Sequence, residues 1–306
     1  MKKVLITGAN GFIGSYLSKY FSKEFEIYGT DLLQPKDESH FKKFIISDIR
    51  TLTSKIKTKE FDIIIHSAAN KSIIDCEKNK NFNQEINFEA TINLYNSMKK
   101  NAQFIFLSSD IVFDGKNGNY FENSKTKPIN NYGKFKVQVE DMLKDKKNVS
   151  ICRTALVFGN LSLNEMRKNI EIFSNSELKI QGYLPQHVFY KLKKNERIFL
   201  AQNEFCNPTS LELLSKQLKI IIKNKKTGIY HTVGGEKISK YEFGIKVARF
   251  YNLNEDLIEK IKSNEFYRPK DVSLSYELSE NELGLKFDCI NEMLKNIKIM
   301  EVKYEN

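Results

Sequence analysis

The sequence predicts an α/β fold: a doubly wound parallel sheet with a smaller, discontinuous C-terminal lobe. Three observations carry this. Through the first half, short β-branched runs alternate with longer helical stretches, as strand–helix–strand units do. Three of the chain's 14 glycines fall within Gly8–Gly14, directly after the first such run. Past Gly159 the pattern loses its regularity, and 306 residues exceed what one compact core holds.

The elements follow in order. Lys3-Val4-Leu5-Ile6-Thr7 reads as the first strand, followed by a helix from about Phe12 to Ser22. Glu26–Thr30 and Phe44–Ile46 are the second and third strands, Asp62–His66 a buried fourth, and Phe104–Leu107 a fifth. Between the last two, Asn83 to Lys100 repeats apolar residues at Ile86, Ala90, Leu94 and Met98, one face of a helix. Val149–Arg153 is a sixth strand, Leu211–Lys223 a helix and Thr227–Val233 a further strand. A helix from Ser239 to Tyr251 opens on a capping box, with Ser239 as N-cap and Glu242 three residues on. The expected division is 1–158 plus 205–235 for the main sheet, and 159–204 plus 236–306 for the second lobe.

The glycine turn carries the first functional signal. In Thr7-Gly8-Ala9-Asn10-Gly11-Phe12-Ile13-Gly14, Gly8 permits a tight turn and Gly11 lets the backbone approach a pyrophosphate. Gly14 lets helix and strand pack closely, and the free N–H groups of the helix start bind phosphate. This is a Rossmann-like dinucleotide site, with Gly8, Asn10, Gly11, Phe12, Ile13 and Gly14 as its candidate residues. Asp31, ending the second strand, can accept hydrogen bonds from the adenosine ribose hydroxyls. A 2′-phosphate would meet that negative charge, and Leu32 and Leu33 follow with no adjacent arginine, so NAD is favoured over NADP.

Tyr132-Gly133-Lys134-Phe135-Lys136 carries the second. Residues i and i+4 share a helix face, so a phenol and an ammonium can share a site, where the cation is expected to lower the tyrosine pKa. Such a phenol exchanges a proton with a carbonyl oxygen as hydride arrives or leaves. Ser109 ends the fifth strand, where open α/β sheets bind ligands, and can hydrogen-bond the same oxygen.

Composition narrows the function classes. Four cysteines without C-x-x-C, and four scattered histidines without H-E-x-x-H, give no disulfide framework and no metal site. No apolar run approaches the roughly 18 residues of a membrane span, so no membrane association and a cytoplasmic location are expected. The net charge of +11 comes from lysines spread along the chain, with no nucleic-acid-reading motif.

Taken together, these stretches resemble the extended short-chain dehydrogenase/reductase family, most closely its dTDP-4-dehydrorhamnose reductase-like branch. The resemblance runs through Gly8–Gly14, Asp48-Ile49, His66-Ser67-Ala68-Ala69, Ser108–Gly115, Pro128–Lys136, Arg153-Thr154-Ala155, Asn207–Ser210, Gly228–His231 and Arg268-Pro269-Lys270. It implies an oxidoreductase that uses NAD or NADP to reduce the keto group of a nucleotide-linked 4-keto-6-deoxy sugar. It implies Tyr132 as acid/base, Lys136 as holder of the nicotinamide ribose and Ser109 as the group positioning the reacting oxygen. Asn87 matches an asparagine linked to a proton-relay water. Asp48 and Ile49 would flank the adenine, Ala68 and Ala69 would line the dinucleotide, Asp110 would face the substrate, and Arg268 would grip the diphosphate. Two aromatic positions of the branch are absent: Ile111 stands where a tyrosine is usual and Leu156 where a tryptophan is. Other readings of the same pattern are a nucleotide-sugar epimerase or dehydrogenase, and a non-catalytic regulatory subunit resembling that of methionine adenosyltransferase. A homodimer is a further expectation.

Overall fold

Val4–Thr7 and Ile63–His66 are completely or almost completely buried, as strands covered on both faces by helices must be. They sit side by side in the computed structural model, which describes residues 1–35, 37–160, 184–297 and 299. The first six strands are β1 (Lys3–Thr7), β2 (Glu26–Asp31), β3 (Lys43–Ile46), β4 (Ile63–His66), β5 (Gln103–Ser109) and β6 (Val149–Thr154). With Gly228–His231 they form one seven-stranded sheet, in the order Gly228–His231, β6, β5, β4, β1, β2, β3. Every pairing in it is parallel. The order reverses beside β1, and the ends of β1, β4 and β5 open at that switch point, where such sheets bind ligands.

Alternation along the strands divides the core in two. Val4, Ile6, Ile63 and Ile65 pack with Leu17 and Phe21 of helix Phe12–Phe21 and Leu214 and Leu218 of helix Leu211–Lys223. Leu5, Ile64, Phe104 and Phe106 face the other way, onto Leu94, Val139 and Leu143. A third cluster joins Val188 and Leu192 of helix Leu184–Lys193 to Phe243 and Val247 of helix Lys240–Phe250 and to Ile290 and Met293. The capping box of Ser239 and Glu242 is present. Helix Glu277–Leu283, in the part of the sequence expected in the second lobe, contributes Leu283 to the first core. Residues 161–183, 298 and 300–306 of that expected lobe lie outside the described residues.

One expected helix face needs correction. Lys80–Ser97 contains a π turn at Glu85–Glu89, which adds a residue to the turn and rotates the face. Asn87 is thereby buried, while Ile86 is only half-buried. Hydrogen bonds hold the buried amide: Asn87 Oδ1 accepts from the Asn70 N–H (2.9 Å), and Nδ2 donates to the Asn70 carbonyl (3.0 Å).

Candidate active site

The turn after β1 is built on glycine because nothing larger fits. Gly8 has φ +66°, and a Cβ there would lie 2.9 Å from the Ala68 Cα; a Cβ on Gly14 would lie 2.0 Å from the Gly8 carbonyl oxygen. Gly11 caps helix Phe12–Phe21 and, as glycine, offers no side-chain acceptor of its own to the first turn; a helix start of this kind receives anions. Asp31 braces the turn from β2: Oδ2 accepts from the Asn10 N–H (3.0 Å) and Oδ1 from the Leu32 N–H (2.7 Å).

His66, at the end of β4, ties this turn to its neighbours. Its Nδ1 pairs with Thr7 Oγ1 (2.8 Å) and its Nε2 with Thr91 Oγ1 (2.9 Å). Burial, with Lys136 nearby, pushes its pKa down to about 3, so the ring stays neutral.

Helix Asn131–Leu143 carries the second half of the site. The Asn130 side chain accepts from the Gly133 N–H (2.8 Å), and the Glu77 carboxylate accepts from both the N–H and the Nδ2 of Asn131 (2.6 and 2.9 Å). A carboxylate at a helix N-terminus also complements the helix dipole. One turn apart, Tyr132 and Lys136 line the same cleft. Lys136 Nζ donates to the Leu107 carbonyl (2.9 Å) and lies 5.7 Å from the centre of the Tyr132 ring. Burial lowers the Lys136 pKa to about 8, against the opposing pull of Glu140 and Cys76. The Tyr132 hydroxyl moves opposite to the sequence expectation: burial first, then Asp110 and Cys76, push its pKa up. The phenol therefore keeps its proton at neutral pH.

Ser109 ends β5 and caps the turn Asp110–Val112, accepting from the Ile111 N–H (3.3 Å) and donating to Asp110 Oδ1 (2.9 Å). Burial pushes the Asp110 carboxyl up to about 7, with Ser109, the Ile111 N–H and Arg268 pulling the other way. An acid raised in the fold stabilises it below its unfolded pKa, and that contribution is lost as pH rises from 3.8 through about 7. Asp110→Asn is therefore expected to melt like the parent near the acid end of this range and to gain stability as pH rises. The gain levels off above about pH 7, with a ceiling of about 4 kcal/mol at 1.4 kcal/mol per pH unit. Thermal melting across that range measures it, and a uniform loss at every pH would contradict the assignment.

These elements meet around one cleft of about 320 Å³. Of the sequence candidates, its wall contains Gly8, Gly11, Phe12, Ile13, Gly14, Ala69, Ser109, Asp110, Tyr132, Lys136 and Arg268. Asn10, Asp31, Asp48, Ile49, Ala68 and Asn87 lie outside that wall. Ala68 packs under Gly8 and Asn87 clamps Asn70, so both act on the shape of the turns. Asp48 accepts from the Arg50 guanidinium (2.8 Å), which also pairs with Glu85 (3.0 Å); Arg50 holds the Asp48 carboxyl below its usual range.

The wall also contains Lys71, Thr154, Glu204 and Lys240, none singled out from the sequence as site residues. Lys240 pairs with Glu204, and Arg268 Nε lies 2.8 Å from Glu265 and 3.9 Å from Glu204. Burial would raise the Glu204 pKa, but Lys240 and Arg268 outweigh it and hold the carboxylate below its usual range. No local pattern announces these residues, because the fold brings them together from distant segments. Among the described residues no His, Cys, Asp and Glu group is arranged to hold a metal, and no helix is long and apolar enough to cross a membrane.

The family model described as the RmlD substrate binding domain matches residues 1–298. Methionine adenosyltransferase 2 subunit beta of Bos taurus is 26% identical over 287 residues, spanning 89% of this chain and 80% of that protein. A dTDP-4-dehydrorhamnose reductase of Aggregatibacter actinomycetemcomitans is 25% identical over 313 residues, spanning 97% and 99%. Among solved structures, a hypothetical dTDP-4-dehydrorhamnose reductase from Sulfolobus tokodaii superposes with a TM-score of 0.78 at 26% identity, covering 97% of this chain and 100% of that one. The dTDP-4-dehydrorhamnose reductase of Bacillus anthracis, in complex with NADP, shares the fold with a TM-score of 0.75 at 23% identity, covering 96% and 97%.

Proposed function

Because the chain belongs to the RmlD substrate binding domain family, within the extended short-chain dehydrogenases/reductases, we propose that it reduces the keto group of a nucleotide-linked 4-keto-6-deoxy sugar. The observation that carries this is the cleft joining the glycine-built helix start to Ser109, Tyr132, Lys136 and Arg268. The residues fit a nicotinamide dinucleotide. Gly8 and Gly14 leave no room for a side chain, Asp31 stands at the end of β2, and the Thr154 hydroxyl is buried in the cleft wall without a hydrogen-bond partner among the described residues. The Bacillus anthracis protein of the same fold holds NADP.

When bound, the nicotinamide supplies the hydride. The chain's own groups do the rest. Gly8, Gly11 and the N–H groups at the start of helix Phe12–Phe21 bind the pyrophosphate, and Lys136 holds the nicotinamide ribose with the donors it does not give to Leu107. Ser109 polarises the keto oxygen, and Tyr132, neutral in its buried setting, delivers the proton to it. Arg268 binds the diphosphate of the substrate, a task suited to a planar guanidinium. The second lobe, 159–204 plus 236–306, is the proposed seat of the sugar nucleotide.

The test is consumption of NADH or NADPH by the purified protein with keto-sugar nucleotides of different base. Thermal shift with dTDP, GDP, UDP and CDP first selects the base, since the ligand that binds the folded state raises its melting point. Asp31 favours NADH. Replacing Asp31 by Ser is expected to weaken NADH by roughly ten- to hundredfold, the loss of hydrogen bonds to a charged acceptor, and to narrow the preference over NADPH. Equal use of both cofactors by the parent would contradict this assignment.

A second reading is favoured by the likeness to methionine adenosyltransferase 2 subunit beta: a cofactor-binding regulator without turnover. Co-purification with a larger enzyme, with no cofactor consumption on any keto sugar, would select it. The intact Ser109, Tyr132 and Lys136 set supports the reductase.

A further inference from the structure

Tyr132, Lys136 and Glu140 form a stripe at i, i+4 and i+8 on helix Asn131–Leu143. Glu140 is buried, and no ion pair joins it to Lys136 among the described residues. Its carboxylate is instead drawn towards the strands. Arg153 of β6 grips it through Nε (3.2 Å to each oxygen) and Nη2 (2.7 Å), and Ser108 of β5 donates to Oε1. Arg153 is fixed in turn: its Nη1 donates to the Glu122 carbonyl (3.0 Å) and lies 3.4 Å from His231 Nε2. The His231 Nδ1 is engaged by the Ser275 carbonyl (2.6 Å).

We propose that Glu140 is a positioning residue for Lys136, holding the ammonium charged from a distance while Arg153 and Ser108 keep its carboxylate from occupying the donors of Lys136. An ammonium has three donors. One goes to the Leu107 carbonyl, and the Phe106 ring lies 4.6 Å from Nζ. A carboxylate in direct contact would take a further donor; one held back by a guanidinium supplies the field and leaves the cleft side of Nζ available. The other titratable groups facing Lys136 are Tyr132 on its own helix, Cys76 of helix Ile73–Lys78 and His66 of β4, with Asp110 beyond Tyr132. The neutral imidazole, the high thiol and the high phenol carry no charge at neutral pH. Of the groups that oppose the burial of Lys136, Glu140 and the uncharged Cys76 thiol, Glu140 is the one that carries a charge, while Asp110, ionised above about pH 7, stands beyond Tyr132.

This rests on the reading of Tyr132 and Lys136 as the reacting pair, and the test separates the two. Glu140→Gln, Glu140→Asp and the double variant Glu140→Gln/Arg153→Gln are assayed for the alkaline limb of kcat/KM. In parallel, NADH affinity is titrated over the same pH range by its fluorescence. The parent limb is expected near the Lys136 value of about 8, in both readouts. Glu140→Gln moves it down by about one pH unit, and Glu140→Asp restores it. If Arg153 left uncompensated unfolds the single variant, the double variant removes both buried charges and carries a smaller shift in the same direction, because loss of the Arg153 cation offsets part of the loss of the carboxylate. An unmoved limb in a folded Gln variant overturns the proposal. Should the parent turn over no keto sugar, the function proposed above fails, and the pH dependence of NADH binding still decides for or against Glu140.

Discussion

Replacing Tyr132 by Phe is expected to lower kcat by about 10²–10⁴-fold, the usual contribution of a positioned proton donor, with NADH affinity and melting point close to those of the parent. The hydroxyl is the only group removed, and the ring keeps its place against the Lys136 ammonium. Burial and Asp110 hold the phenol in its protonated form, so the parent enters the reductive step already carrying the proton. Steady-state kinetics on the best keto sugar, paired with a fluorescence titration of NADH, separates the chemical step from binding. Parental turnover in a folded Tyr132→Phe protein would remove Tyr132 from the mechanism.

Gly14→Ala is expected to cost both cofactor affinity and stability. The new methyl would sit 2.0 Å from the Gly8 carbonyl oxygen and 2.7 Å from its carbon, and both are backbone atoms with no rotamer to escape into. Helix and turn must separate, at about 1–3 kcal/mol for an overpacked contact. The first-turn N–H groups move with the helix, so NADH should bind roughly ten- to hundredfold more weakly, the loss of one or two charge-assisted hydrogen bonds. Calorimetric or fluorescence titration together with thermal melting measures both effects. Parental affinity with a parental melting point would mean that the glycine turn is not the seat of the pyrophosphate.

Much of this architecture was legible because its signals are local. Strand β1, the glycine turn, helix Leu211–Lys223 and the Ser239–Glu242 capping box are each specified by residues within a few positions of one another. Tyr132, Lys136 and Ser109 could be paired in advance because helix periodicity and strand ends place side chains predictably. The π turn at Glu85–Glu89 was not legible: hydrogen bonds between Asn87 and Asn70, 17 residues away, hold the buried amide there. The direction of the Tyr132 shift was missed for a related reason. Spacing reveals the neighbouring cation, whereas burial and the approach of Asp110 are properties of the folded cleft. Lys71, Glu204 and Lys240 reach the wall from three separate segments, and no window of sequence contains that coincidence.

The most direct test of the central claim, that the glycine turn would hold the cofactor and Tyr132 would supply the proton for one hydride transfer, is isotope transfer from NADH deuterated at its transferable position. The label is expected on the former keto carbon of the sugar product. Gly14→Ala is expected to suppress this transfer through weakened cofactor binding, and Tyr132→Phe to suppress it with the cofactor still bound. Label retained in NADH with every keto-sugar nucleotide, or transferred at the parental rate by Tyr132→Phe, would contradict it.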